Sequence, residues 1–351
     1  MSPSSVSLLP LLAVPLAAVT SAVLIVLLMP LLRRYALARP NARSSHAVPT
    51  PQGGGVAIIA ATVVVGTALL IAETKALPST EAVVLMLSVT ALAIVGGRDD
   101  VRPLRVSIRL GLQVAAVAAV IIATGGRLFP AMPIVLERGI EVLAGLWFVN
   151  LVNFTDGLDW MTLAGMVPVT AVLVLLGYAG VLPVLPTLVA AALLGGFLGF
   201  APFNRPVARL FMGDVGSLPV GLLIAWLLYR LALDGGFAAA ILLPLYPVSD
   251  ATLTLLWRLK RGEKVWQAHR KHFYQVATVN GFSVPEVVGS VFAVSVLLSM
   301  FAAASLLWPS WGITVAALAA GGGLVVTLLR RFNTPVAGSE ADRNQRRASA
   351  S

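Results

Sequence analysis

The chain has 351 residues, of which 58% are apolar and 11% charged, with 25 Lys and Arg against 15 Asp and Glu for a formal net charge of +10. Soluble domains carry about 25% charged residues, so this composition cannot clothe a water-exposed surface, and a soluble enzyme or binding module is excluded. Cysteine is absent, which excludes disulfides and thiolate metal centres and leaves oxygen and imidazole ligands, the donors of hard cations.

A hydrocarbon layer of about 30 Å needs about 20 helical residues per crossing. In chain order, apolar blocks predict about eleven crossings, near residues 6–32, 53–72, 82–96, 109–124, 139–153, 165–181, 185–201, 217–233, 236–257, 284–308 and 311–329. No basic residue precedes the first block and Arg33 and Arg34 follow it, so it reads as a retained helix with its N-terminus outside, not as a cleaved leader. The expected fold class is an all-α integral membrane protein, about 11 transmembrane helices with the active site built from cytoplasmic loops. Residues 1–332 form one polytopic domain, and 333–351, small, polar and charged, a disordered cytoplasmic tail. With this topology 21 of the 25 Lys and Arg are cytoplasmic, and only Lys75, Arg127, Arg138 and Arg230 are outside. Such a bias satisfies the positive-inside rule. Scattered through short loops, the basic residues make no nucleic-acid-binding patch.

The polar clusters all fall in the cytoplasmic segments. RSSHAVPTPQGGG (43–55) contains His46, which either contacts an anion or is an ordinary loop histidine. Its glycines are not a dinucleotide fingerprint, but they let the chain enter the second helix, whose first amides can face an anion. GGRDDVRPL (96–104) sets Asp99 beside Asp100. Two adjacent carboxylates need a cation, or one becomes a base; the alternative is a solvated loop neutralised by Arg98, Arg102 and Arg105.

NLVNFTDGLDW (150–160) spaces Asn153, Asp156 and Asp159 by three, on one face if the fifth helix continues, or on a turn at Gly157. FMGDVGS places Asp214 between glycines ahead of the eighth helix, either to approach phosphate and metal or simply to cap that helix. Phe211, just before it, either stacks on a base or anchors the interface. AHRKHFYQ (268–275) offers His269, Arg270, Lys271 and His272, a poor cation site but a good phosphate clamp, or else an ordinary basic loop.

Carboxylates for a hard divalent cation, a cationic clamp and an interfacial position together describe phosphoryl transfer between a soluble nucleotide and a lipid phosphate. The alternative is a transporter or flippase of a lipid-linked sugar. Carriers place ionisable groups near the bilayer midplane and often show repeats; here the acids gather at one face.

In the order SHxxPTPxGGG, DDxRPL, NxxNFxDGxD, FMGDxGS and HRxHxYQ, from about Arg43 to Gln275, the sequence resembles the bacterial polyprenyl-phosphate N-acetylhexosamine-1-phosphate transferases. This glycosyltransferase-4-like family includes phospho-N-acetylmuramoyl-pentapeptide transferase. The resemblance implies transfer of a sugar-1-phosphate from a UDP-sugar to undecaprenyl phosphate with release of UMP, using Mg2+, with Mn2+ as a substitute. It implies that Asp214 binds the metal with Asn153 nearby, and that Asp99 and Asp100 lie by the lipid phosphate, one of them as base. Asp156 is grouped with them as catalytic. Asp159 and Phe211 would read uracil, while His269, Arg270 and His272 would hold the diphosphate or sugar, with His46 also at the substrate.

The short HRKHFYQ loop resembles that of enzymes initiating O-antigen-like surface polysaccharides. Trp160 stands where many relatives have Gly, which suits an apolar wall for a 6-deoxy donor or an interfacial anchor. The expected partners are a UDP-sugar, undecaprenyl phosphate and membrane lipid, with no nucleic acid and with a homodimer as a compatible assembly. The expected location is the bacterial inner membrane, C-terminus and active site cytoplasmic.

Overall fold

The computed structural model describes residues 9–38, 49–265 and 269–339. Its helices in chain order are α1 (Leu9–Tyr35), α2 (Gly55–Thr74), α3 (Thr80–Val101), α4 (Val106–Thr124), α5 (Ile134–Thr155), α6 (Met161–Tyr178) and α7 (Val184–Phe200). They continue with α8 (Asp214–Leu233), α9 (Phe237–Leu242), α10 (Leu245–Lys260), α11 (Phe273–Val279), α12 (Val284–Leu307) and α13 (Trp311–Phe332). Two short strands, β1 (Leu37–Ala38) and β2 (Thr50–Pro51), pair antiparallel between α1 and α2.

The chain is thus an all-helical integral membrane protein. Among the described residues, α1, α2, α3, α4, α6, α8, α12 and α13 are long and apolar enough to cross a bilayer, and α7 is a shorter apolar helix of 17 residues. Ten of the eleven expected segments are each a single helix. The ninth, at 236–257, is divided: α9 stops at Leu242 and α10 starts after Pro244, which has no N–H to carry a helix ladder through. α5 is less apolar than its neighbours because Glu137, Arg138 and Glu141 sit in its first two turns and Asn150 and Asn153 in its last two.

α8 forms the centre of the bundle, packed on α3 and α5 and touching α2, α4, α7 and α9. Val220, Leu223, Trp226 and Leu227 on it are buried. α1 lies against α2 and α7, and α12 closes the far side against α6, α9 and α13. Val19, Val26 and Leu27 of α1 face outward, as expected of a surface solvated by lipid.

The connections at one end of the bundle are tied together. Gly54 N donates to Phe211 O (2.9 Å), Tyr274 Oη to Phe154 O (2.8 Å) and Val336 N to Asn280 O (2.8 Å). The last of these fastens the first part of the expected tail to this end; residues 340–351 lie outside the described residues. At the other end the charges of α5 are paired, Glu137 with Arg127 (2.7 Å) and Glu141 with Arg138 (2.8 Å).

Candidate active site

Asp99 and Asp100 occupy the last turn of α3, and Asp214 opens α8. The two helices meet because Gly96 has no side chain: a Cβ there would lie 2.1 Å from Asp214 O. Gly213, at φ +75, bends the chain into α8 and offers no capping side chain. Asp100 supplies the cap from α3 instead, its Oδ1 accepting from Asp214 N (3.0 Å) and its Oδ2 from Val215 N (3.0 Å). A carboxylate is well placed at the positive end of a helix.

The Asp214 side chain is thereby left for other work. Its Oδ1 accepts from Asn153 Nδ2 (2.7 Å), which also reaches Ser217 Oγ (2.8 Å). Its Oδ2 lies 3.4 Å from Arg109 Nη1, and the same nitrogen donates to Asp99 Oδ2 at 2.7 Å. Asp99 Oδ1 accepts from Leu104 N (2.6 Å). Arg109, in the first turn of α4, therefore bridges the carboxylates of α3 and α8. Sequence reading counted it only as a topological charge; the available signal was an arginine just inside a crossing, a costly position unless it has acidic partners.

α5 ends at Thr155, so Asn153 is helical while Asp156 lies in the turn that follows. Asp156 Oδ1 accepts from Thr162 Oγ1 (2.7 Å). Burial first, and then the like charges of Asp214, Asp100 and Asp159, push its pKa up to about 7. Asp159 points elsewhere: it is buried, and its Oδ2 accepts from Ala208 N (2.9 Å). It lines a cleft of about 990 Å³ together with Arg33, Thr50, Leu158 and Arg209.

Phe211 is not among the residues lining that cleft. Its N–H donates to Pro51 O (2.8 Å), and the amides of Gly54 and Gly55 donate to Phe211 O and Met212 O. Those two glycine amides are thus committed to backbone pairing, against the expectation that they face an anion. Trp160 adopts φ +61, a conformation natural to glycine. Its N–H donates to Asn204 Oδ1 (2.8 Å) and its indole Nε1 to Ala201 O (2.7 Å), and it does not line the cleft.

In the basic loop, the His269 and His272 rings stack at 4.9 Å. Burial first, then the neighbouring His272 and Arg258, hold the His269 pKa down to about 4, so this imidazole is uncharged at neutral pH. Lys271 pairs with Glu263 at 2.5 Å. His272 Nδ1 lies 3.0 Å from Asp250 Oδ1. Tyr274 draws the loop against the end of α5 through Phe154 O, in a space left by Gly157, where a Cβ would meet the phenol oxygen at 2.2 Å. His46 lies outside the described residues.

Asp99, Asp100, Asn153 and Asp214 are thus one hydrogen-bonded group, Asp156 shares its electrostatic field, and Asp159 stands beside it at the cleft. Among the described residues no three His, Asp or Glu converge as a closed metal cage. Magnesium needs none, since it is usually held by one or two carboxylates plus water and substrate phosphates. Asp214, with a quarter of its side chain open and Asn153 beside it, fits that demand.

Residues 82–232 match the family model described as "Glycosyl transferase family 4". The chain is 27% identical to the decaprenyl-phosphate N-acetylglucosaminephosphotransferase of Mycobacterium tuberculosis, over 85% of this chain and 84% of that protein. It is 24% identical to a probable undecaprenyl-phosphate N-acetylglucosaminyl 1-phosphate transferase of Bacillus subtilis, over 80% and 84%. It is also 34% identical to the phospho-N-acetylmuramoyl-pentapeptide-transferase of a Mycobacterium species, over 51% and 62%. Residues 82–232 thus carry the likeness to glycosyl transferase family 4, and the relatives named here are polyprenyl-phosphate N-acetylglucosamine phosphotransferases and a phospho-N-acetylmuramoyl-pentapeptide-transferase, in agreement with the family that the motifs resemble.

Proposed function

We propose that this protein transfers an N-acetylhexosamine-1-phosphate from a UDP-sugar to undecaprenyl phosphate on the cytoplasmic face of the bacterial inner membrane, the first membrane step of a surface polysaccharide. The observation that carries this reading is the group Asp99–Arg109–Asp214–Asn153, four polar side chains from four helices joined at one end of an apolar bundle. Polyprenyl phosphate in the names of the relatives supplies the acceptor class. An oxygen of the lipid phosphate attacks the sugar-bearing phosphorus, a new P–O bond forms, and the diphosphate bond breaks with UMP leaving on its bridging oxygen.

Mg2+ would be held by Asp214 with Asn153, and when bound it neutralises charge on the two anionic substrates. The protein's own residues do the remainder. Arg109 brings a permanent cation to a place where two phosphates must meet, and by contacting both Asp99 and Asp214 it offsets their mutual repulsion. Asp100 is spent on fixing the first turn of α8, so it orients Asp214 and is poorly placed as a base. Asp156, its pKa about 7, is equipped to hold or pass a proton near neutrality. The cleft beside Asp159, with Arg33 and Arg209 on its wall, has the volume for a uridine nucleotide. The basic loop closes on the diphosphate through Arg270 and His272.

A transporter would place ionisable groups near the bilayer midplane; the buried acids of α5, Glu137 and Glu141, sit in its first two turns, at the end opposite the site. The test is incubation of purified protein with undecaprenyl phosphate, Mg2+ and a panel of UDP-N-acetylhexosamines, including 6-deoxy forms. Release of UMP only when donor and lipid are both present is expected. Lipid-independent hydrolysis, or no turnover with any donor, contradicts the proposal.

A further inference from the structure

Asp250 lies in the second turn of α10 and is fully buried. A carboxylate in such a place costs several kcal/mol unless its oxygens are satisfied. Here they are. Oδ1 faces His272 Nδ1 (3.0 Å) and accepts from Phe273 N (3.2 Å); Oδ2 accepts from Tyr274 N (3.2 Å) and from Tyr246 Oη (3.2 Å). Two of these donors are the first amides of α11, so Asp250 caps that helix as Asp100 caps α8.

Capping alone does not need a buried ion, since Ser, Thr or Asn serve as well. The contact that asks for a carboxylate is the one to the imidazole. A carboxylate accepts only, so the proton between Asp250 and His272 belongs to Nδ1. The contact to Asp250 engages Nδ1, so Nε2, across the ring, is the nitrogen that a ligand would meet. The ring is held on three sides, by His269 at 4.9 Å, Tyr274 at 5.7 Å and Phe154 at 6.2 Å between centroids. Phe154 immediately follows Asn153, which touches Asp214.

We propose that Asp250 is a positioning residue that fixes the tautomer and direction of His272, so that Nε2 is presented to an anionic oxygen of the sugar-diphosphate donor. The inference rests on the reading that this loop closes on the donor. A hydrogen bond from a carboxylate to the far nitrogen of a working imidazole is a recurrent device for orienting the ring, and its loss costs about 10- to 100-fold where it has been measured in metal sites.

Two measurements on the full-length protein in lipid nanodiscs test it. The chain has three histidines, so 15N-histidine labelling, with His272 assigned by its loss in His272→Gln, reads the tautomer directly. A protonated Nδ1 is expected at pH 8 in the wild type, and a bare Nδ1 with the proton on Nε2 overturns the proposal whether or not any variant folds. The second is a kinetic cycle. Asp250→Asn is expected to lower kcat/KM for the UDP-sugar by roughly 10- to 100-fold while leaving KM for the lipid phosphate within about twofold, and to have almost no further effect in a His272→Ala background. Equal losses in both backgrounds reduce Asp250 to a helix cap and overturn the proposal. Absence of transferase activity in the wild type would sink the functional reading instead, and the tautomer would still decide the role of Asp250.

Discussion

At the scale of single residues, Asp214 and Asp100 show how neighbouring carboxylates acquire different tasks from what donates to them. Asp100 receives two backbone amides, whereas Asp214 receives an amide side chain and faces Arg109. Asp214→Asn keeps the shape and removes the charge, so it is expected to preserve membrane insertion while lowering kcat roughly 10²- to 10³-fold, with no recovery at raised Mg2+. Arg109→Ala should cost a similar amount, and Arg109→Lys should recover only part of it, because an ammonium cannot reproduce the planar fork. Steady-state kinetics on the three variants decide both.

Asp156 gives a sign to the pH dependence of stability. With its pKa raised to about 7 in the folded protein against about 4 in the unfolded chain, the native state binds more protons across that window, so its contribution to stability falls as pH rises from about 4 to about 7. Asp156→Asn never ionises. Melted without divalent cation, it should exceed the wild type at pH 8, with the gap closing toward pH 4. A gap that is constant with pH would show that Asp156 is not the group responsible.

Legibility in the sequence also divides at this scale. Asp99, Asp100, Asn153 and Asp214 were readable because acids cluster at the ends of apolar blocks. Arg109 and Asp250 were hidden, since each lies within a segment whose hydropathy is dominated by its neighbours and each acquires meaning only from a partner far along the chain. Whether Asp214 or Asp100 caps α8 was not readable at all, because the cap crosses from another helix.

At the scale of elements, helix identity followed from apolar runs of about 20 residues, but the ends were less legible: the third expected crossing stopped at 96, whereas α3 continues through Gly96 and Gly97 to Val101. The division of the ninth segment into α9 and α10 was missed because apolarity continues across Leu242–Pro244 while the backbone ladder does not. The contact of α3 with the first turn of α8 depends on one hydrogen atom. Gly96→Ala would drive a methyl group to 2.1 Å from Asp214 O, whereas a Cβ at Gly111 on α4 meets nothing within 4 Å. Overpacking of this kind costs about 1–3 kcal/mol. Gly96→Ala should lower the melting temperature and remove most activity, and Gly111→Ala should change neither by more than the error of the assay. Equal behaviour of the two would mean that α3 and α8 have room to separate.

For the whole molecule, the bundle has one end where Asp99, Asp214 and Asn153 meet Arg109 and another where Glu137 and Glu141 pair with arginines while Tyr229 and Trp226 of α8 bond to Arg138 and Glu81. By the positive-inside rule, the 21 basic residues that sequence reading assigns to the first end predict that it faces the cytoplasm. Reporter fusions after Asp100, Asp159, Asp214 and His272 are therefore expected to report cytoplasm, and fusions at Lys75 and Asp234 the outside. A motif connection reporting the outside would separate residues that the structure joins.

The central claim is that the cytoplasmic group moves a sugar together with its phosphate. Donor labelled with 32P in the phosphate next to the sugar distinguishes this from transfer of sugar alone. With purified protein, undecaprenyl phosphate and Mg2+, the label is expected to pass into the organic-extractable lipid while unlabelled UMP is released, and Asp214→Asn should abolish both. Label remaining in water-soluble UDP while the sugar enters the lipid would contradict the account.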